Sequence, residues 1–350
     1  MKSKKYLTII ILLTIAFVNT SIAQFDNVGT SVANFLKIGV GARGIAMGSA
    51  CVADVNDGSV LYWNVAGLAA LNRREVFFSN TNWLMDISHN FLAVAFPIDG
   101  VNAIGLSINS INMGEMEETT EYEPDGTGIT FSGGDIGVGI AYARAMTDRF
   151  SVGIQGKYIR ETVAFCSADA VAIDIGTLYI TQFHGLKIGM AISNFGTKMR
   201  LRGREQLVDI DIDPNLHSNP EDITARLDTK DWPLPLSFRI GVSVDLLNTS
   251  LLRYTHTVDY YDVRDLGPIY CTGAEIALPP FIMLRAGIQR RYFDWDTEKD
   301  LPVYKYYPSI GAGIRWKIPK TNFAFKVDFA YVDYMNAFDP ILRYSGALEF

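Results

Sequence analysis

Apolar and polar residues alternate with period two along most of this chain. The clearest case is Phe323, Phe325, Val327, Phe329 and Tyr331, which share one face of a run whose other face carries Lys326 and Asp328. Ile310, Ala312, Ile314 and Trp316 oppose Arg315 and Lys317, and Leu284, Ala286 and Ile288 oppose Arg285 and Gln289. Phe150, Val152, Ile154 and Tyr158 oppose Ser151, Gln155 and Lys157. A soluble sandwich strand also alternates, but full charges recurring on the polar face suit a water-lined lumen. Alternation over about ten residues is the mark of a membrane-barrel strand, apolar toward lipid and polar inside.

Fourteen such runs are expected, near 75–83, 88–98, 102–112, 134–146, 149–162, 168–181, 185–196, 235–246, 249–262, 267–277, 281–292, 307–318, 321–334 and 340–350. The count is even, as in bacterial barrels. The connections sort by length. Those after even-numbered strands are short, such as Asp99-Gly100, Thr147-Asp148 and Pro319-Lys320. Every long one, near 113–133, 197–234 and 293–306, follows an odd-numbered strand. Short periplasmic turns and long outer loops are the barrel rule, so both mature termini are expected in the periplasm. The last strand closes on an aromatic residue, Phe350, with Leu342, Tyr344 and Leu348 on its apolar face.

The chain begins with Lys2, Lys4 and Lys5, an apolar stretch from Tyr6 to Val18, and the small-x-small signal Ser21-Ile22-Ala23. This is a secretory signal peptide over residues 1–23, with maturation before Gln24. No later apolar run is long enough for a transmembrane helix, although 49% of the residues are hydrophobic. Net charge is −7, and losing three lysines with the signal peptide takes it to about −10. Phosphate backbones require a basic face, so nucleic acid is not an expected partner. The three cysteines, Cys51, Cys166 and Cys271, form no spaced motif and are read as isolated buried thiols.

Residues 24–74 break the strand pattern. They are rich in Gly, Ala, Ser and Asn, with a short helix expected over Ser31 to Leu36 and an extended piece at Ala50 to Ala53. Val32, Phe35, Leu36, Ile45, Met47, Leu61, Trp63 and Leu68 are enough apolar residues to pack against a wall. The expected architecture is therefore an all-β fold: an antiparallel transmembrane β-barrel of about fourteen strands over 75–350, with 24–74 as a hatch in the lumen or its periplasmic mouth. Asn64 can hydrogen-bond its own backbone, Gly67 permits positive φ, and Gly41, Gly44 and Gly48 allow close backbone approach. Arg43 is expected to pair with a lumen acid such as Asp328 or Glu349.

The run Gly41-Ala42-Arg43-Gly44-Ile45-Ala46-Met47-Gly48-Ser49-Ala50, the stretch Val52 to Asp57, and Leu61-Tyr62-Trp63-Asn64-Val65-Ala66-Gly67-Leu68-Ala69 resemble the opening of PorV/PorQ-type outer-membrane proteins, within the wider group of barrels like FadL. Val65 stands where that family normally has proline. The resemblance implies an outer-membrane protein working in type IX secretion beside a large translocon barrel. It also implies binding of cargo that carries a C-terminal secretion domain. It does not separate PorV-like from PorQ-like roles. Gly41, Ala42, Arg43, Met47, Gly48, Trp63, Asn64, Ala66 and Gly67 would then be structural residues locking the hatch. Outer-membrane lipid and lipopolysaccharide are the expected surroundings.

Catalytic chemistry is not expected. His89, His184, His217 and His256 fall in no nucleophile or metal spacing, and no G-x-S-x-G elbow is present. Asp209, Asp211 and Asp213 alternate like a calcium loop, but Pro214 and Pro220 stand where an EF-hand needs glycine and glutamate. They are a weak metal candidate beside the plainer reading of a solvated turn, and no cofactor is expected. Trp295, Tyr304, Tyr306 and Tyr307 are either interface-belt aromatics or a docking surface for a partner. Two functions remain open: a plugged barrel that docks secretion partners through its outer loops, and a FadL-like transporter of hydrophobic small molecules.

Overall fold

A computed structural model describes residues 28–54, 56–183, 185–210, 223–278, 282–296, 301–334 and 339–350. The segment expected as a signal peptide lies outside the described residues, as do His184, His217, Asp211 and Asp213.

Fourteen antiparallel strands close into a barrel. The first seven are β1 (Glu75–Asn82), β2 (Ser88–Pro97), β3 (Asn102–Glu117), β4 (Thr130–Thr147), β5 (Phe150–Val163), β6 (Cys166–Ile180) and β7 (Lys187–Gly196). Three short strands, β8 (Arg202–Gly203), β9 (Leu207–Ile210) and β10 (Ile223–Arg226), belong to the long connection that follows. The barrel resumes with β11 (Ser237–Asn248), β12 (Arg253–Val263), β13 (Leu266–Leu278), β14 (Ile282–Asp296), β15 (Leu301–Lys317), β16 (Ala324–Val332) and β17 (Ile341–Glu349). Each strand pairs with its sequence neighbours, β7 pairs with β11, and β1 pairs with β17 in a register running from Glu75↔Glu349 to Thr81↔Arg343. No barrel edge is left open, as a wall surrounded by lipid requires.

The alternation read from the sequence holds. Val327, Ile310, Ile314 and Trp316 are more than half exposed on the outside, while Asp328, Ser309 and Arg285 are buried inside. All three cysteines are buried and free. Short connections (98–101, 148–149, 249–252, 318–323) collect at the end of the barrel that carries the C-terminus; the opposite end holds 118–129, 197–210 and 223–236.

The third long loop, expected over 293–306, is instead largely ladder. β14 runs to Asp296 and β15 starts at Leu301, with register Asp296↔Leu301. β3 and β4 likewise continue to Glu117↔Thr130. Strands that rise beyond the bilayer no longer need an apolar outer face, so the alternation fades while the backbone pairing continues.

Residues 28–71 run inside the barrel as short helical turns, at Asn34–Lys37, Ala42–Ala46, Val60–Trp63 and Val65–Ala70. The piece expected as extended at Ala50 to Ala53 contains a turn at Val52–Ala53. Phe35, Ile45, Met47, Leu61, Trp63 and Leu68 are buried against the wall. Their seat depends on glycine pairs that face each other across adjacent strands: Gly153↔Gly176, Gly189↔Gly241 and Gly273↔Gly287. A Cβ on Gly153 would lie 2.6 Å from the Val65 carbonyl carbon, on Gly189 2.2 Å from the Val52 oxygen, and on Gly287 2.1 Å from the Gly48 nitrogen. The missing side chains let backbone lie directly on backbone.

Candidate functional site

The lumen has two halves, divided by the inner segment. In the half toward the short turns, Arg43 sits at the centre of a web of charges. Its Nη2 donates to Asp54 Oδ2 at 2.8 Å, its Nη1 to the Asp54 carbonyl at 2.5 Å, and its Nε to Glu275 Oε2 at 3.1 Å. Glu275 also accepts from Arg285 Nε at 2.7 Å and from Arg253 at 3.1 Å. Arg285 reaches on to Asp328 at 2.5 Å. A second web joins Lys326 to Glu75 (3.0 Å) and Glu349 (2.7 Å), and Arg315 to Glu349 (2.6 Å). Lys187 on β7 closes onto Asp54.

Burial alone would raise the Asp54 carboxyl, but Arg43 and then Lys187 overrule it and hold it below the ordinary carboxylate range. Burial alone would also lower Arg43. Glu275 and Asp54 outweigh it and keep the guanidinium charged. Charges removed from water are tolerated only when paired and hydrogen-bonded, as these are. A cavity of about 590 Å³ opens among Asn56, Asp57, Arg73, Arg253 and Met283.

The half toward the long loops is built differently. A cavity of about 440 Å³ is walled by Phe35, Trp63, Trp83, Tyr261 and Tyr334. Two buried arginines enter it. Arg239 lies over the Tyr261 ring at 3.8 Å and the Trp63 ring at 4.6 Å. Arg343 donates to the Gly39 carbonyl and lies 5.2 Å over Trp83, with no partner on its Nε. Among the described residues neither arginine has a carboxylate in ion-pair reach, so ring faces do there what acids do below.

The sequence motif lands on this divide. Gly41 and Gly48 adopt positive φ (77° and 65°), while Gly67 does not; it sits in an ordinary helical turn. Ala42 begins the turn that carries Arg43. Trp63 Nε1 donates to the Val40 carbonyl at 3.0 Å, and a Cβ on Gly44 would meet that indole at 2.9 Å. Asn64 Oδ1 accepts from Ala66 N at 3.1 Å, and its amide nitrogen donates to the Val52 and Thr177 carbonyls at 2.8 and 3.0 Å. Met47 packs beside Ala42, Ile45, Trp63 and Val332.

The expected partners of Arg43 were not the ones found. Asp328 goes to Arg285, and Glu349 goes to Lys326 and Arg315. Glu275 and Asp54 take Arg43 because the stagger of the closed barrel brings β13 beside residues 43–54. Glu275, Arg239, Arg343 and the glycine pairs were not singled out from the sequence, and Arg285 was read only as a polar-face charge. Their signal was present as charges and glycines at inward positions of the alternation.

The four aromatics expected on one loop are split. Trp295 lies in β14. Tyr306 is exposed on the outer wall, whereas Tyr307 packs 5.2 Å from Tyr334 and 5.1 Å from Arg291 on the lumen side. Tyr304 stacks edge-on with Tyr292 at 6.1 Å. Asp209 is described only as backbone of β9. Thr272 contacts His256 at 3.4 Å, but this pair is on the outer wall and His256 Nδ1 has no partner to orient it.

This architecture, a closed barrel of fourteen antiparallel strands with apolar outer faces, is that of an outer-membrane barrel. The chain is similar in structure to the CymD monoaromatic hydrocarbon channel, with a TM-score of 0.56, 10% identity, and coverage of 89% of this chain and 96% of that one. It is similar to the Pseudomonas putida toluene transporter TodX (0.54, 12%, 89% and 98%) and to a Pseudomonas aeruginosa FadL homologue (0.51, 13%, 94% and 99%). Such low identities establish the fold alone. No curated protein matches the chain in sequence. The family model described as "Type IX secretion system protein PorV" matches residues 21–216, more than half of the chain. The protein belongs to the PorV family.

Proposed function

We propose that this barrel is a type IX secretion component that docks secreted cargo and a large translocon barrel at its long-loop end. The long loops then face the cell surface, both mature termini face the periplasm, and residues 24–74 act as a hatch. The observation that carries this reading is the pairing of PorV membership with an occupied lumen. With backbone seated on the wall at three glycine pairs, a folded partner meets the rim and loops rather than a through-channel. The surface on offer is the acidic connection 118–129, the described parts of 197–236, and the raised end of the β14–β15 hairpin beyond Tyr304.

Affinity purification of the tagged protein from outer membranes in mild detergent, followed by mass spectrometry, tests it. Co-recovery of a giant barrel, or of exported proteins sharing a C-terminal domain, is expected. Recovery of the barrel alone with bound apolar molecules would overturn it in favour of the second reading, a transporter of hydrophobic small molecules. That second reading is supported by the aromatic-walled cavity of about 440 Å³ and by neighbours described as hydrocarbon channels.

A further inference from the structure

The outer wall of β12–β15 carries one row that differs from those beneath it. Tyr260, Tyr270, Arg290 and Tyr306 are paired directly across four adjacent strands. They face away from the lumen, because their neighbours Tyr261, Cys271, Gln289 and Arg291 line the inner cavity. Below the row the outward residues of β14 and β15 are apolar: Ile282, Leu284, Ala286 and Ile288 on one, Ile314, Ala312, Ile310 and Pro308 on the other. That band ends toward the short turns at the exposed pair Trp316 and Phe325. From Trp316 to Tyr306 is ten residues of strand, and at about 3.3 Å per residue with a tilt near 40° this spans about 25 Å, the height of an outer-membrane apolar band. Arg290 therefore stands at the headgroup level of the leaflet on the long-loop side, pointing into lipid.

Its surroundings are shaped for an anion. The guanidinium lies 3.8 Å over the Tyr304 ring and 5.9 Å from the Tyr270 ring. Tyr260 and Tyr270 are themselves in ring contact at 5.4 Å. Stacking occupies the face of a guanidinium and leaves its N–H edge free to bind in plane. Its Nε is buried without a partner. The contrast is Arg160, also outward-facing, which has Asp169 at 3.8 Å and donates to Ser167 at 3.3 Å. Asp262, the next outward acid on β12, lies two strands from Arg290. A planar fork of donors held between phenol rings matches a phosphate oxygen pair better than a water shell.

We propose that Arg290, with Tyr270, Tyr304 and Tyr306, forms a binding site on the lipid-facing wall for the phosphate of an outer-leaflet glycolipid. The proposal rests on the orientation given above, with the long loops at the cell surface. Native mass spectrometry of the full-length mature protein in detergent tests it, with diphosphorylated lipid A and the same lipid stripped of both phosphates as probes. The wild type is expected to hold the phosphorylated form about tenfold more tightly, the worth of one charge-assisted contact. Arg290→Gln should abolish that preference, and Arg160→Gln should leave it intact. Arg290→Leu should act like the glutamine variant, and its fold is safe because Leu284 already occupies the same face. No preference in the wild type, a preference retained without Arg290, or equal loss in Arg160→Gln would each overturn the proposal. Surface labelling of a tag placed in 227–236 checks the orientation separately, and partner recovery checks docking, so the three can fail independently.

Discussion

The two halves of the lumen hold the same inner segment by a different balance of contacts. Toward the short turns the contact is ionic: Arg43, Asp54 and Glu275 are each nine-tenths buried or more and each has at least two charge partners. Toward the long loops aromatic contacts dominate, with Arg239 lying on the Tyr261 ring and Arg343 bonded to the Gly39 carbonyl, beside an ion pair of the inner segment, Lys37 with Asp265. The difference teaches which half is committed. A buried carboxylate shared by three arginines cannot be lost cheaply, because the web is left with an excess of buried positive charge. A guanidinium on a ring face leaves no orphan charge when it goes. The ionic half is therefore the fixed anchor and the aromatic half the adaptable one, which suits a cavity that opens toward the loops.

The sharpest way to break this contrast is Glu275→Ala. It leaves Arg253 without its acid and Arg43 and Arg285 with one acid each, Asp54 and Asp328, and should cost about 3–5 kcal/mol of stability, read as a lower urea midpoint for loss of the heat-modifiable gel band. A loss under about 1 kcal/mol would mean that water already screens the web. Next comes Gly287→Leu, whose side chain collides with Gly48 backbone. Overpacking of this kind costs about 1–3 kcal/mol. Here it should fall on the inner segment, so limited proteolysis should cut within 28–71 while the barrel band survives. Intact protection would show that the segment has room to shift.

Arg343→Met removes one donor from the Gly39 carbonyl and a charge from the aromatic half, and should cost about 1 kcal/mol. An effect as large as that of Glu275→Ala would erase the distinction between the halves. The smallest effect expected is that of acid. Asp54 has a folded-state value below its unfolded one, so its stabilisation is complete above the ordinary carboxylate range and is lost as pH falls through the lowered value. Amide protection of residues 43–54, corrected for intrinsic exchange, should thus hold at neutral pH and weaken below about pH 4. Protection that instead weakens on going upward from neutral pH would reverse the assigned sign.

What the sequence determined by itself was everything that depends on local repetition. Strand number, the lipid and lumen faces of runs such as Phe325–Tyr331, and the sorting of short turns from long connections all follow from period-two alternation, which neighbouring residues enforce on one another. The buried side of residues 28–71 was legible for the same reason, as apolar side chains in a stretch too irregular for a strand. Two features were lost where that rule lapses. Above the bilayer the outer face of β14 and β15 is free to be polar, so a paired hairpin read as a loop. Inside the barrel, partners are chosen by closure. Arg43 and Glu275 are 232 positions apart, and only the stagger of the closed strands decided that β13, rather than β16 or β17, would supply the acid. The same closure aligned the glycine pairs under the inner segment and set Arg290 among tyrosines from neighbouring strands, because register across a barrel is a property of the whole ring and not of any one strand.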